Sequence, residues 1–441
     1  MNLSPPTADR VRGNIFWLLA DRGWRLVLNI AVLGVVARHL GVEDFGRLNY
    51  AASLAAIFTV VATLGLEGLV VRELVRRPED WRTLLGTAAG LRLAGGFVAL
   101  LCAGLAASGQ RDGHELAVLA MLVACGFVPQ ALEVTELWFQ KEIQSRYTAV
   151  ARGVAALLGA GVKLKLVAMN APLVWFAAAL GLDFALAATA LAWTYQARGG
   201  RISAWLFCRT TARQLLRESA PLIGAGLLVA VYLRVEQVLV RELLGDGAAG
   251  VYFAAARLAE QWIVLPGLLV TSVYPLLVGG QSGGSPNHAG RMQQLFDALT
   301  LMGLVIALGV AALGPWLVPL IFGESYRAAV PVLLVLAWTA PVIFSGAARA
   351  QYFLLENLTL YHVPSALLGI AVNFTVGLWA LPRFGPVGAA ASALGGYVCS
   401  AFVTSWLFPP LRVCARLQTR AFLLPFAPHR IGELWRLIRE H

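Results

Sequence analysis

Charged residues are scarce in this sequence. Only 13% of its 441 residues are Asp, Glu, Lys or Arg, about half of the roughly 25% found in soluble proteins. Apolar residues make up 59% of the chain, and the mean hydropathy is +0.71. Long apolar runs recur from Ile15 to Phe408, so we predict a polytopic membrane protein and not a soluble domain with a single anchor.

The apolar runs also lack the pattern of a membrane β-barrel, whose strands alternate polar and apolar residues in segments of roughly ten. We therefore predict an all-α fold with about twelve transmembrane helices in two bundles of six. The eighth span is long and contains Pro266 and Pro275, which favours a kink. The predicted spans are residues 14–37, 48–71, 84–107, 116–138, 149–168, 173–194, 220–241, 249–278, 294–313, 329–350, 361–381 and 386–408.

Motifs of enzyme chemistry are missing as well. The sequence has no P-loop, no Asp-x-Asp motif of sugar-nucleotide enzymes and no cluster among its six histidines. Its five cysteines are scattered without metal-ligand spacing. We predict no catalytic residue, no metal, no cofactor and no enzyme activity. The net charge of +11 is explained by basic loops facing the cytoplasm, so no nucleic-acid partner is expected.

The distribution of Arg and Lys predicts the orientation of the chain. With the N-terminus in the cytoplasm, the cytoplasmic segments contain most of the basic residues, and the opposite side has only six. Because positive loops stay in the cytoplasm, we predict that both termini lie there. The linker 195–219 separates an N-terminal bundle (1–194) from a C-terminal bundle (220–408). This linker is predicted to contain an interfacial helix, and the tail 409–441 to be a basic amphipathic segment at the membrane surface.

The two halves contain a weak internal repeat. A shift of 204 residues places the turn LGVEDFG on LGDGAAG, with glycines at Gly41 and Gly245. Glycine permits a tight reversal between two helices. Both preceding helices contain internal charge, and paired halves around a binding site are a recurring plan of transporters. Seven of sixteen aligned positions match, and they place Leu40, Gly41, Gly46, Ala51, Ala52, Leu54 and Ala55 on Leu244, Gly245, Gly250, Ala255, Ala256, Leu258 and Ala259.

Arginines inside the spans are candidates for substrate binding, because a charge near the bilayer centre costs roughly 2.5–3.5 kcal/mol and usually faces a cavity or a partner. Arg22 and Arg25 share one face of the first span. They either reach the headgroups or form a cationic patch that holds a phosphate. Arg257 and Glu260 share a face of the eighth span, as a structural ion pair or as part of a site. Arg234 and Glu236 point about 200° apart, so they cannot both face one cavity.

Acidic residues inside the spans are candidates for ion coupling. Glu67 is predicted to pair with Arg92. Glu133 and Glu136 lie one turn apart, and so either share a proton or pair with Lys141 near the cytoplasmic end. Asp183 lies deeper in the sixth span. The predicted ion-coupling set is completed by Glu260 and comprises Glu67, Glu133, Glu136, Asp183 and Glu260.

Three stretches resemble Wzx-type oligosaccharide flippases, the polysaccharide-transporter branch of the multidrug/oligosaccharidyl-lipid/polysaccharide superfamily. The first is NIFWLLADRGWRLVLNIAVLGVVARHLGVEDFGRLNYAASLAAIF. The second contains a Tyr-x-Arg-x-acid pattern ending at Glu236 and the run from Gly250 to Glu260. The third joins Asn373 to LPRFGPVGAAASALGGY. The resemblance covers residues 14 to about 408. It departs from the family at Glu236, where Asp is usual.

This resemblance implies two six-helix bundles around a central cationic cavity. The substrate would be an undecaprenyl-diphosphate-linked oligosaccharide, moved from the cytoplasmic to the periplasmic leaflet of the bacterial inner membrane by alternating access. A proton or sodium gradient would drive it. Membrane lipids, a glycan polymerase and assembly proteins are the expected partners. The arginines expected to bind the substrate are Arg22, Arg25, Arg234 and Arg257.

Two other functions stay open. A cation-coupled multidrug exporter of the same fold would favour an acidic cavity, which the arginines in the spans argue against. An integral-membrane glycan polymerase or ligase would normally have a large outer loop, and the outer loops here are short.

Overall fold

The computed structural model describes residues 8–110, 113–267 and 288–424, and of residues 8–22, 264, 288 and 289 only the backbone. Across these ranges the chain consists of helices and turns and has no strand. Nine helical segments there are long and apolar enough to cross a membrane. The predicted fold class, an all-α polytopic membrane protein, is confirmed.

The chain forms two compact units that divide between Arg234 and Val235. The domains were predicted from the membrane spans and not from contacts between residues. Their predicted bounds stay a prediction. The helices of the first unit are α1 (Ala8–Thr63), α2 (Glu67–Arg76), α3 (Trp81–Ser108), α4 (Gly113–Ala124), α5 (Val134–Lys141), α6 (Ser145–Ala168), α7 (Leu173–Ala197) and α8 (Arg209–Tyr232).

The second unit begins within a predicted span. Its helices are α9 (Val235–Leu244), α10 (Asp246–Ala259), α11 (His288–Phe322), α12 (Ala329–Ala337), α13 (Thr339–Leu355), α14 (His362–Phe384), α15 (Pro386–Val398), α16 (Thr404–Leu407) and α17 (Arg412–Phe422).

The nine apolar segments account for ten of the twelve predicted spans, because the segment Gly23–Arg76 contains the first two. The fifth predicted span corresponds to α6, which has 24 residues but is rich in Arg and Lys. The eighth corresponds to α10 and a 3₁₀ turn, Glu260–Val264, and the rest of it lies outside the described residues. Hydropathy therefore located the spans well.

The predicted glycine turns have the same backbone conformation in both units. Gly41 interrupts α1 with φ 74° and ψ 178°, and Gly245 precedes α10 with φ 85° and ψ −179°. This region of φ and ψ is essentially restricted to glycine. Both glycines of the internal repeat thus adopt a conformation that interrupts a helix, and the reversal of the chain there stays a prediction.

Several spans that hydropathy predicts as continuous are broken in the structure. Leu64 and Gly65 adopt positive φ and separate α1 from α2, so that Glu67 begins α2. A 3₁₀ segment, Pro129–Glu133, precedes α5. Leu233 and Arg234 form a turn between α8 and α9. Discontinuous helices inside a membrane are tolerated where they line a cavity, and they place helix ends near bound ions or substrates.

The linker between α7 and α8 packs against one end of the first unit. The amide of Leu206 donates to the carbonyl of Arg82 at 3.1 Å, and the amide of Cys208 donates to Thr87 Oγ1 at 3.1 Å. Trp205 packs on Tyr195, whose ring centroid lies 5.9 Å away. From Arg209 the chain continues as α8 without a break, so the interfacial helix of the linker stays a prediction.

The described part of the tail is amphipathic, as predicted. In α17, Leu417 and Ala421 are buried against the second unit, and Gln418 Nε2 donates to the carbonyl of Ala401 at 2.9 Å. Arg412 and Arg416 are exposed on the opposite face. The membrane contact of this tail stays a prediction, and residues 425–441 lie outside the described residues.

Candidate functional site

A polar cavity of about 270 Å³ lies inside the first unit. Helices α1, α2, α3, α5 and α6 and the 3₁₀ segment before α5 contribute to its wall. Six of its ten lining residues are charged, although the surrounding helices are strongly apolar. The lining residues are Arg25, Glu67, Arg92, Glu133, Glu136, Leu137, Gln140, Thr148, Ala149 and Arg152.

Arg152 of α6 joins two carboxylates on one side of the cavity. Its Nη2 hydrogen-bonds Glu136 Oε2 and lies 3.6 Å from Glu133 Oε2. The side chains of Glu133 and Glu136 are 11% and 20% exposed. One guanidinium therefore serves two largely buried carboxylates. Lys141, the predicted partner of these glutamates, contacts Glu142 at 2.9 Å instead.

Arg92 of α3 forms the second ion pair of the cavity. Its Nη2 donates to Glu67 Oε1 at 3.3 Å, which confirms the predicted pair. The Arg92 side chain is only 3% exposed, whereas that of Glu67 is 65% exposed. Among the described residues, Arg92 Nε has no hydrogen-bond partner. A buried guanidinium nitrogen of this kind can still donate to an anion or a water that enters the cavity.

The local sequence explains why these glutamates reach one cavity. Glu67 is the first residue of α2 because Gly65, with φ +60°, ends the preceding helix. Pro129 begins the 3₁₀ segment that ends at Glu133, and Glu136 lies in the first turn of α5. Carboxylates are stabilised at the first turn of a helix by its unpaired amide groups. The helix breaks thus place Glu67 and Glu136 in the first turn of a helix, and Glu133 directly before α5.

The charges in the cavity balance formally. Arg25, Arg92 and Arg152 offset Glu67, Glu133 and Glu136 when all three carboxylates are ionised. Within this set, the group of Arg152 with Glu133 and Glu136 has one negative charge in excess. Two close carboxylates of this kind favour the binding of a cation or a proton by one of them.

Asp183, a predicted ion-coupling residue, lies elsewhere in the unit. Its carboxylate pairs with Lys163 of α6, and it does not line the cavity. The Asp183 side chain is packed so tightly against α6 that a Cβ at Gly159 would lie 2.2 Å from its Oδ1. This ion pair connects α6 with α7.

The second unit contains the predicted pair of Arg257 and Glu260. Arg257 Nη1 donates to Glu260 Oε2 at 3.1 Å, which confirms the ion pair. Gln237 of α9 donates to the other carboxylate oxygen of Glu260 at 3.2 Å. Glu236, 6% exposed, accepts a hydrogen bond from Asn373 Nδ2 of α14 at 3.1 Å. Glu236 thus contacts a neighbouring helix, as expected for one member of the Arg234 and Glu236 pair.

Two further arginines, Arg234 and Arg22, were predicted to bind the substrate. Arg234 lies in the turn after α8, at the end of the first unit. Arg22 lies on α1, in the stretch whose side chains are outside the described residues. That Arg22, Arg25, Arg234 and Arg257 bind one substrate stays a prediction.

The sequence analysis missed Arg152 as a site residue. It could have been recognised, because it is a charged residue inside a predicted membrane span, as Arg92 is. In the second unit the sequence analysis also missed Arg349, which is 5% exposed and donates to Thr404 Oγ1 at 2.9 Å. A charged residue within a membrane span usually faces a cavity or a charged partner.

Comparison with known proteins identifies the family. A family model described as polysaccharide biosynthesis protein matches residues 11–281, more than half of the chain. The chain belongs to the polysaccharide biosynthesis protein family. The predicted resemblance to Wzx-type flippases is confirmed at this level. Among curated proteins, a sequence search found no match.

Solved structures of transporters have the same fold as this family member. The lipid II flippase MurJ, in an inward closed conformation, superposes with a TM-score of 0.66 at 12% identity, covering 95% of this chain and 93% of MurJ. An inward-facing multidrug resistance MATE transporter of the MOP superfamily gives 0.64 at 15% identity, covering 90% and 96%. A MOP superfamily transporter from Pyrococcus furiosus gives 0.61 at 15% identity, covering 92% and 95%.

At these identities the similarity shows the fold alone. The polysaccharide biosynthesis protein described here is therefore a multi-pass membrane protein with the fold of MOP superfamily transporters.

Proposed function

We propose that the protein flips an undecaprenyl-diphosphate-linked oligosaccharide from the cytoplasmic to the periplasmic leaflet of the bacterial inner membrane. It does so by alternating access coupled to an ion gradient. Both termini lie in the cytoplasm, where the basic linker and tail meet the membrane surface. The lipid-linked glycan then passes to a polymerase and to assembly proteins.

The observation that carries this proposal is the composition of the cavity in the first unit. Arg25, predicted to bind the substrate, lines the same cavity as Glu67, Glu133 and Glu136, predicted to couple an ion. Charges in a low-dielectric cavity act on one another strongly. Ion binding at the glutamates therefore changes the electrostatic field at Arg25, which is the requirement for coupling ion and substrate.

Arg25 supplies the cavity with a group that suits an anion. Guanidinium groups match the geometry of phosphate oxygens and form paired hydrogen bonds with them. The cavity, at about 270 Å³, is smaller than the roughly 300–1,000 Å³ of sites for drug-sized ligands. It can hold a phosphate group and its water, whereas the glycan and the lipid must lie outside it. In this proposal Arg22, Arg234 and Arg257 are further residues that bind the substrate.

Export of the glycan in cells tests the proposal. In a strain that lacks the chromosomal copy, the wild-type protein should restore surface polysaccharide. Arg25→Ala and Arg257→Ala should each reduce it at least about tenfold, since an arginine hydrogen-bonded to a phosphate contributes roughly 1.5–3 kcal/mol, while lipid-linked oligosaccharide accumulates in the membrane. Arg327→Ala, at a side chain that is 76% exposed, is the matched control and should restore export fully.

Two outcomes would contradict this account. Normal export by Arg257→Ala, with equal protein in the membrane, would remove that residue from the substrate site. Normal surface polysaccharide in the strain without the protein, together with increased sensitivity to cationic drugs, would favour the multidrug exporter.

A further inference from the structure

The pair of Glu133 and Glu136 has a feature that decides which ion it can bind. Both carboxylates already contact a cation, the guanidinium of Arg152. A guanidinium keeps its positive charge at every pH at which a protein is folded. It therefore occupies the position between the two carboxylates that a metal cation would need.

The other charged groups around this pair come from every wall of the cavity. Helix α1 contributes Arg25, α2 Glu67 and α3 Arg92. Arg92 is engaged with Glu67. Gln130 of the 3₁₀ segment hydrogen-bonds Glu133 and brings no charge. Among the described lining residues, Glu67 is the one further carboxylate, and it is already paired with Arg92.

A sodium ion and a proton place different demands on such a site. A metal cation needs several oxygen ligands at once, and both carboxylates of the pair already bind the guanidinium of Arg152. A proton needs one carboxylate oxygen, and it removes the single excess negative charge of the group.

We propose that Arg152 closes the Glu133 and Glu136 pair to sodium and leaves the proton as the cation that the pair can bind. This inference rests on the proposed ion-coupled transport, in which these glutamates bind the coupling ion. Arg152 acts here as a specificity-determining residue. Its guanidinium fills the position between the two carboxylates that a metal ion would need.

Carbodiimide labelling of the purified protein in detergent tests the proposal without any transport. Dicyclohexylcarbodiimide reacts with protonated carboxyl groups in apolar surroundings, and mass spectrometry locates the adduct. The wild-type adduct on Glu133 or Glu136 should fall about tenfold for each pH unit above its midpoint, as for a single proton site. Replacing choline by Na⁺ at equal ionic strength should leave the labelling unchanged.

Two variants separate the charge of Arg152 from its structural role. Arg152→Gln removes the positive charge and leaves two carboxylates free, so Na⁺ should now protect them from labelling at least about tenfold. Arg152→Lys keeps the charge and should remain insensitive to Na⁺. Replacing both Glu133 and Glu136 by Gln should abolish the adduct, which would show that it forms on these residues.

Protection of the wild-type protein by Na⁺ would overturn the proposal, whether or not the Arg152→Gln protein folds. Labelling of Arg152→Gln that ignores Na⁺ would also overturn it, since removal of the charge would then not open the site. Because no substrate is present, both results are independent of the glycan. Failure of the flippase proposal would appear only in the export experiment.

Discussion

Replacing Arg152 by Gln should destabilise the protein in a pH-dependent way. The substitution leaves Glu133 and Glu136, whose side chains are 11% and 20% exposed, without their shared cation. Removing one partner of a buried ion pair typically costs about 3–5 kcal/mol, because an unpaired buried charge remains. A glutamate can avoid that state by taking a proton.

Protonation of one glutamate limits the stability that the Arg152→Gln variant can lose. Protonating a carboxyl group with an ordinary pKa of about 4.3 costs about 1.36 kcal/mol for each pH unit above that value, which is about 3.7 kcal/mol at pH 7 and about 1.6 kcal/mol at pH 5.5. The stability lost in Arg152→Gln should thus be about twice as large at pH 7 as at pH 5.5. Acid should partly rescue the variant.

The assay is thermal unfolding of detergent-purified protein at both pH values. Arg327→Gln is the matched control, because Arg327 also pairs with a glutamate, at 3.3 Å, but both side chains are more than 70% exposed. An exposed pair contributes about 0–1 kcal/mol, so this control should shift little at either pH. An equal loss at pH 7 and pH 5.5 for Arg152→Gln would refute the electrostatic reasoning and indicate a packing role.

Two further predictions concern the linker and the helix packing. Hydrogen bonds with Thr210, above all with its hydroxyl, and with Thr211 lower the pKa of Cys208 to about 7, so the rate of maleimide labelling of Cys208 should be half-maximal near pH 7. It should shift to higher pH in Thr210→Val and be lost in Cys208→Ser. A membrane-impermeant maleimide should reach Cys208 from the cytoplasmic side, and labelling only from the periplasm would reverse the proposed topology. Gly126→Ala should lower stability by about 1–3 kcal/mol, because a Cβ there would lie 2.3 Å from the carbonyl oxygen of Gly181. Gly161→Ala, where a Cβ meets nothing within 4 Å, is its control, and equal unfolding temperatures would contradict the tight packing.

Hydropathy predicted the membrane spans because it depends only on local composition. The pair of Arg257 and Glu260 was also predictable, since residues three apart on a helix are neighbours. The glycine turns at Gly41 and Gly245 could be recognised because few other residues tolerate their backbone conformation. Patterns of this kind involve residues that lie within about one helical turn of one another.

The breaks within the spans could not be predicted in the same way. Leu64 adopts φ 54°, although leucine is a good helix former and hydropathy predicts one span across it. The partner of a buried charge also depends on how the helices rotate and pack. Asp183 pairs with Lys163 of the preceding helix, and Glu133 and Glu136 share Arg152 across two helices. Tertiary packing and not sequence spacing decides such contacts.

Flipping by the purified protein tests the central claim most directly. The protein is reconstituted into vesicles of bacterial phospholipid with a fluorescent undecaprenyl-diphosphate oligosaccharide, and an impermeant quencher reports the fraction of label in the outer leaflet. We expect that fraction to change only in vesicles that contain the protein, faster under an imposed pH gradient and without response to a sodium gradient. Label that moves no faster than in protein-free vesicles, whatever gradient is imposed, would contradict the account.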